Sequence, residues 1–296
     1  MATDSLPIPD LLDSFELHLR AKNRAEKTIK SYREAVTQLA GHVDGKPSDQ
    51  ITNQDVESYL AAVLAKNAPA TARQRYASLV QFFKWAHAEG EIPDNPMDRV
   101  QPPQLAEQPV PVLTPADLSA LIRAAKGQGF EERRDEALIR MFADTGVRLG
   151  EMAGLRVGDV DLNLAVAVVK GKGSRFRTVP YGDKTREALD RYRRQRMRHE
   201  YADLEAWWLG RKGALTDSGI TQILRRRAKD AGLDGLHAHQ FRHSFAHQWL
   251  AQGGNEGDLQ RIAGWSSPQM LQRYGKSAAD QRARENYRNN PLWGDL

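Results

Sequence analysis

Residues 237–248 read HAHQFRHSFAHQ and hold four of the chain's eight histidines. His239, His243 and His247 follow i, i+4, i+8 spacing, the way a helix presents imidazoles to zinc. Arg242 lies among them, however, and a fixed guanidinium is a poor neighbour for a dication. No HExxH-type carboxylate accompanies them either. His239 and Arg242 stand three apart, so a helix puts both on one face. Two such donors side by side suit a phosphate better than a metal. His243 and His247 then read as core or supporting histidines, and no metal site is expected.

Three further stretches could do chemistry. DTGVRLGEMAGL (144–155) places Arg148 just after a Thr-Gly turn, with Glu151 one helical turn later. In isolation this is a surface ion pair; aimed into a cleft, the planar fork of Arg148 matches phosphate oxygens, steadied by Glu151. Lys172 stands between Gly171 and Gly173 at a turn. Flanking glycines let such a tip approach a ligand closely, and an ammonium there can donate a proton. Lys170 and Arg175 compete for the role, and spacing does not choose among the three. LQRIAGWSSPQMLQRYG (259–275) carries Trp265 and, nine residues on, Tyr274; by themselves they are packing aromatics.

These groups need a frame. The 296 residues suggest about two domains. Ile29, Tyr32, Val36 and Leu39 recur at helical spacing, and TNQD (52–55) is a capping-box pattern ahead of Val56, Tyr59, Leu60, Val63 and Leu64. Tyr76, Val80 and Phe83 continue the pattern up to a stop at Gly90. With a first helix near 9–21, residues 1–100 form a bundle of about four helices. Six prolines over 92–112 predict an extended segment, with the linker at 101–112. The second domain, 113–296, opens on a capping box at TPAD (114–117). Helices are expected near 115–126, 133–144, 183–199, 217–231, 239–251, 255–263 and 267–273. LNLAVAVVKGKGSRFRTVPYG (162–182) is the one clear strand pair, turning at GKGS. The fold class is mainly α with a small β-hairpin in a mixed α/β second domain, preceded by a helical bundle.

Composition narrows the partners. Zero cysteine excludes disulfides, thiolate zinc sites and a cysteine nucleophile, and fits a reducing cytosol. Neither a signal peptide nor an apolar run of spanning length is read, so no membrane partner is expected. The net charge of +5 allows nucleic acid as a partner. Basic residues concentrate in RYRRQRMR (191–198) and RRRAK (225–229). Such runs are often solvated helix faces; Arg225, Arg226 and Arg227 are the candidate DNA contacts.

Together the motifs resemble the tyrosine recombinase (phage integrase) family, in that family's order and over nearly the entire chain. The bundle is similar to its core-type DNA-binding domain and residues 113–296 to its catalytic domain. TGVRLGE resembles its first arginine box, which implies a catalytic Arg148 supported by Glu151. GKG falls where its catalytic lysine belongs and selects Lys172. HQFRH resembles its His-x-x-Arg box, implying His239 and Arg242, and Tyr274 stands at its nucleophile. Where most members carry His, Gly264-Trp265 departs from the pattern. An indole N–H can donate to a phosphate oxygen but cannot titrate.

The resemblance implies a site-specific DNA recombinase that cleaves and rejoins duplex DNA through a 3′-phosphotyrosyl intermediate, in integration, excision or dimer resolution. It implies no cofactor, neither ATP nor metal. It also implies a homo-tetramer on two DNA sites joined by C-terminal segments such as 278–296, with accessory recombination factors as further partners. With no arm-type domain expected before residue 10, the chain is similar to compact Xer-like or small phage-type members, DNA-associated in a prokaryotic cytoplasm. Type IB topoisomerase-like relaxation and non-catalytic, sequence-specific DNA binding are the rival readings. A His-ligated metal hydrolase would explain only residues 237–247.

Overall fold

The computed structural model describes residues 6–105, 111–171, 175–265 and 287–288. The chain divides into two compact units, Met1–Gln108 and Pro109–Leu296.

In the first unit four helices pack around one core: α1 (Ile8–Ala21), α2 (Glu26–His42), α3 (Asn53–Lys66) and α4 (Pro69–Ala88). Thr52 and Asp55 exchange the two hydrogen bonds of a capping box at the start of α3. The predicted stripe of Ile29, Val36, Leu39, Val56, Leu60 and Phe83 is buried, and Phe15 meets Phe82 edge-on at 5.3 Å. Leu64, expected on that stripe, is exposed, because Leu60 and Val63 already fill the core-facing side of the last turn. After α4, which ends before Gly90 at φ +79°, the proline-rich chain returns to the core. Ile92, Met97 and Val100 are buried there, so residues 92–100 complete the bundle rather than leave it.

The second unit contains α5 (Pro115–Ala124), α6 (Phe130–Thr145), α7 (Leu149–Ala153), α8 (Asp183–Arg196), α9 (Asp217–Asp230), α10 (Ala238–Ala251) and α11 (Glu256–Ala263). Strands β1 (Val160–Asp161), β2 (Val166–Lys170) and β3 (Phe176–Pro180) form an antiparallel sheet, with Val169 opposite Arg177. A separate pair joins β4 (Leu209–Gly210) to β5 (Gly213–Ala214). Sequence reasoning found only the β2–β3 hairpin: two-residue strands are too short to show alternation. Ala167, Val169 and Val179 turn inward against Leu138, Phe142, Leu189, Tyr192, Trp208 and Phe241. A smaller cluster, Ala246, Leu250, Leu259, Ala263 and Trp265, seats α11 on α10.

Arginines hold this unit together at two places. Arg196, at the end of α8, is buried and donates to the carbonyls of Ala202, Leu204, Ala206 and Trp207, tying down the loop that carries the two tryptophans. Asp135 on α6 is fully buried and accepts from Arg134, Arg226 and Arg227, at 2.8–2.9 Å. Among the described residues no helix is long and apolar enough to cross a membrane.

Candidate active site

Helix α6 ends at Thr145 because Gly146 takes the left-handed conformation, φ +56°. A Cβ there would lie 2.7 Å from the Phe245 ring, so both backbone and packing require glycine. The chain reverses through buried Val147, and Arg148 caps α7. Glu151 in the first turn of α7 reaches back: Oε2 accepts from the Arg148 backbone N–H at 2.9 Å, and Oε1 from Arg148 Nη1 at 2.8 Å.

A third residue completes this pair. Arg177 on β3 donates Nη1 to Glu151 Oε1 at 2.8 Å and Nη2 to Oε2 at 2.7 Å, a two-bonded fork. Four donors thus meet one carboxylate whose side chain is 4% exposed. Burial pushes the Glu151 carboxyl upward, yet the Arg177 hydrogen bonds, the Arg148 backbone N–H and the Arg177 charge hold it at about 2.

Arg242 reaches the same place from α10. Its Nη1 donates to the Gly146 carbonyl at 2.8 Å, its Nη2 to the Ala263 carbonyl at 2.6 Å, and its guanidinium lies over the Trp265 ring, 5.3 Å from the centroid. Arg148 Nη2 donates to the Gly264 carbonyl at 3.1 Å and Arg177 Nε to the Ile262 carbonyl at 2.7 Å. Three guanidinium groups therefore hold three successive carbonyls at the C-terminal end of α11. Helix C-termini leave carbonyls without backbone partners and carry partial negative charge, which is why cations collect there. Gly264, at φ +63°, closes the helix.

Among the described residues the patch carries three arginines against one carboxylate, an excess of fixed positive charge that attracts an anion. Arg148 is its accessible edge, with 40% of the side chain exposed, whereas Arg242 is 1% exposed. His239, in the first turn of α10, is exposed and meets the buried His243 edge-on at 4.6 Å. His247 is also buried. Among the described residues no group of three His, Cys, Asp or Glu side chains is placed to hold a metal ion.

Of the residues singled out from sequence, the structure brings together Arg148, Glu151, Arg242 and Trp265. Lys172 and Tyr274 lie outside the described residues, as do the helix expected over 267–273 and all of 278–296 except Tyr287 and Arg288. Arg225 is exposed on α9, while Arg226 and Arg227 turn to Asp135, and Arg227 also donates to the Ala124 carbonyl. Arg177 was missed. Its signal was alternation: in FRTVP it shares a strand face with inward Val179, and a charge on that face needs a buried partner.

Comparison with known proteins agrees in both units. The model of the phage integrase family matches residues 111–281, and that of the phage integrase N-terminal SAM-like domain matches residues 11–90. Tyrosine recombinase XerC of Roseiflexus castenholzii is 30% identical over 274 residues, 89% of this chain and 87% of that protein. The XerC of a Roseiflexus species, strain RS-1, is 29% identical over 276 residues, 90% of this chain and 88% of that one. Among solved structures, XerA recombinase is 26% identical with a TM-score of 0.55, covering 95% of this chain and 98% of that chain. XerH bound to a palindromic difH substrate shares the fold at a TM-score of 0.76 and 17% identity, covering 90% of this chain and 81% of that chain. The chain belongs to the phage integrase family of tyrosine recombinases.

Proposed function

We propose that this tyrosine recombinase acts as a site-specific recombinase whose arginine patch holds the scissile phosphodiester of duplex DNA. The observation that carries this reading is the convergence of Arg148, Arg177 and Arg242 on the end of α11, with Glu151 bound to two of them. Arg148, Arg242, His239 and Trp265 supply donors to the non-bridging oxygens, where charge grows as phosphorus becomes five-coordinate. Glu151 supports Arg148. Tyr274 Oη attacks phosphorus, His239 takes the phenolic proton, and the bond to the 5′-oxygen breaks as Lys172 protonates it. The 3′-phosphotyrosyl bond keeps the energy of the diester, so a 5′-hydroxyl from a second strand can displace the tyrosine with no ATP and no metal.

Exposure orders these contacts. A phosphate meets Arg148 first; contact with buried Arg242, and with Trp265 against it, requires the site to open around them. Arg225, exposed on α9 while its neighbours Arg226 and Arg227 are drawn to Asp135, contacts the DNA backbone. Strand exchange needs two cleaved duplexes, hence four protomers on two sites, with accessory factors where a site demands them, in a prokaryotic cytoplasm.

The test uses a nicked duplex site that traps the covalent intermediate, resolved on a denaturing gel. Wild type gives a shifted protein–DNA band and Tyr274→Phe, which keeps the ring but not the attacking oxygen, gives none while binding DNA normally. A shifted band from Tyr274→Phe would place the nucleophile elsewhere.

A further inference from the structure

Arg177 uses each of its three nitrogens inside the protein: Nη1 and Nη2 on Glu151, Nε on the Ile262 carbonyl. Its side chain is 13% exposed, against 40% for Arg148. It is therefore poorly placed to meet a phosphate. What it does touch is the group that fixes Arg148. Glu151 Oε1 receives both Arg148 Nη1 and Arg177 Nη1, and Oε2 receives both the Arg148 backbone N–H and Arg177 Nη2. An ionised carboxylate has about four lone-pair sites, so these donors fill it.

We propose that Arg177 is a positioning residue of the cleavage site: anchored to β3 and to the end of α11, it fixes Glu151 so that Arg148 presents its exposed edge in one orientation. A long arginine side chain loses much rotamer freedom on being ordered, and a donor aimed before the substrate arrives avoids that cost during reaction. The fork of Arg177 makes Glu151 a rigid seat rather than a swinging partner. Lysine cannot replace it, because a single ammonium cannot span both carboxylate oxygens and the Ile262 carbonyl. The inference rests on the reading above, in which Arg148 meets the scissile phosphate.

The experiment compares Arg148→Ala, Arg177→Met and Arg177→Lys on two versions of one nicked duplex, whose site is recovered by trapping the wild-type chain on DNA fragments. One version has the natural scissile diester. The other has a methylphosphonate, in which a methyl group replaces one non-bridging oxygen and removes its charge. On the diester, Arg148→Ala should slow adduct formation by about 100- to 1000-fold. Arg177→Met and Arg177→Lys should slow it by up to about 100-fold through misplacement of Arg148, with DNA affinity unchanged. Adding Arg177→Met to Arg148→Ala should cost almost nothing more, since residues acting through one another are not additive. On the methylphosphonate, with no oxyanion charge to neutralise, the penalties of both positions should collapse together. If the Arg177 penalty persists there while that of Arg148 vanishes, Arg177 only stabilises the fold and the inference is wrong. An Arg177 variant that cleaves the diester at the wild-type rate also overturns it. If Arg148→Ala keeps its full penalty on the methylphosphonate, the phosphate reading of Arg148 fails and the inference fails with it. Should Arg177→Met not fold, Glu151→Gln with Arg177→Met, which removes the buried charge together with its partner, carries the same comparison.

Discussion

Arg177 on β3 and Glu151 on α7 are 26 residues apart in sequence and meet through two bonds of 2.7 and 2.8 Å. The pair ties the hairpin to the turn that carries Arg148. It also makes the packing around α11 depend on ionisation of one carboxylate, because two of the three arginines that hold the end of that helix, Arg148 and Arg177, are themselves held by Glu151.

Acid stability follows from that dependence. The Glu151 carboxyl is depressed from 4.5 to about 2 in the fold. A depressed carboxyl contributes stability above its unfolded pKa and loses it as pH falls through the folded value. The contribution, about 3 kcal/mol at neutral pH, should be intact above pH 4.5 and nearly gone at pH 2. Glu151→Gln removes the titration. The stability gap between wild type and Glu151→Gln, measured by urea unfolding of the second unit with amide exchange in α6 as readout, should narrow over that window. A gap independent of pH would mean that the carboxylate is not held by the two arginines.

Gly264 offers a test confined to the end of α11. Alanine there must adopt φ +63°, and its Cβ would stand 3.0 Å from Nε and Nη1 of Arg177. Gly253 has φ +77° with open space around it. Both alanine substitutions should cost about 1–2 kcal/mol for the left-handed backbone. Only Gly264→Ala should also slow cleavage, because it alone displaces Arg177. Equal cleavage rates for the two variants, read on the nicked duplex, would show that displacing this guanidinium does not reach the chemistry.

Local features were legible in the sequence. The capping boxes at Thr52 and Thr114, the β2–β3 hairpin and the Arg148–Glu151 pair depend on residues within one turn or one strand pair, where spacing determines geometry. What escaped was assembled across the chain. Arg177 finds Glu151, and Arg242 finds Gly146 from 96 residues away; no periodicity encodes such meetings. The basic runs misled for a related reason. Charge density in RYRRQRMR and RRRAK suggests exposure, yet Arg196 and Arg227 are the residues that close loops and satisfy a buried aspartate.

Trp265 can be divided into its two properties. It is buried in the α10–α11 cluster, with the Arg242 guanidinium over its ring. Trp265→Phe keeps an aromatic face for Arg242 and removes the N–H. Adduct formation should slow by about 100-fold, with little loss of thermal stability, if that N–H meets the phosphate in the cleavage step. A Phe variant as fast as wild type would assign Trp265 to packing alone.

The basic run on α9 allows a sharper division, since neighbouring arginines do different work. Arg225 is exposed, whereas Arg227 has 11% of its side chain exposed and donates to Asp135 and to the Ala124 carbonyl. Asp135 is buried with three arginines around it, and removing one partner from such a cluster leaves its charge less compensated. Arg227→Gln should therefore lower stability by a few kcal/mol, up to about 3, and leave the salt dependence of DNA binding unchanged. Arg225→Gln should do the reverse: near-normal stability, weaker binding across all sequences, and a log–log salt slope reduced by about one unit, the signature of one lost phosphate contact. Arg196→Gln, on the other run, should behave like Arg227→Gln, because its donors are spent on four backbone carbonyls. The deciding measurement is fluorescence anisotropy of labelled duplex at several salt concentrations, paired with thermal unfolding of each variant. If Arg225→Gln leaves the slope intact, the exposed face of α9 does not meet the backbone, and the positive charge that holds the DNA must be sought elsewhere on the two units.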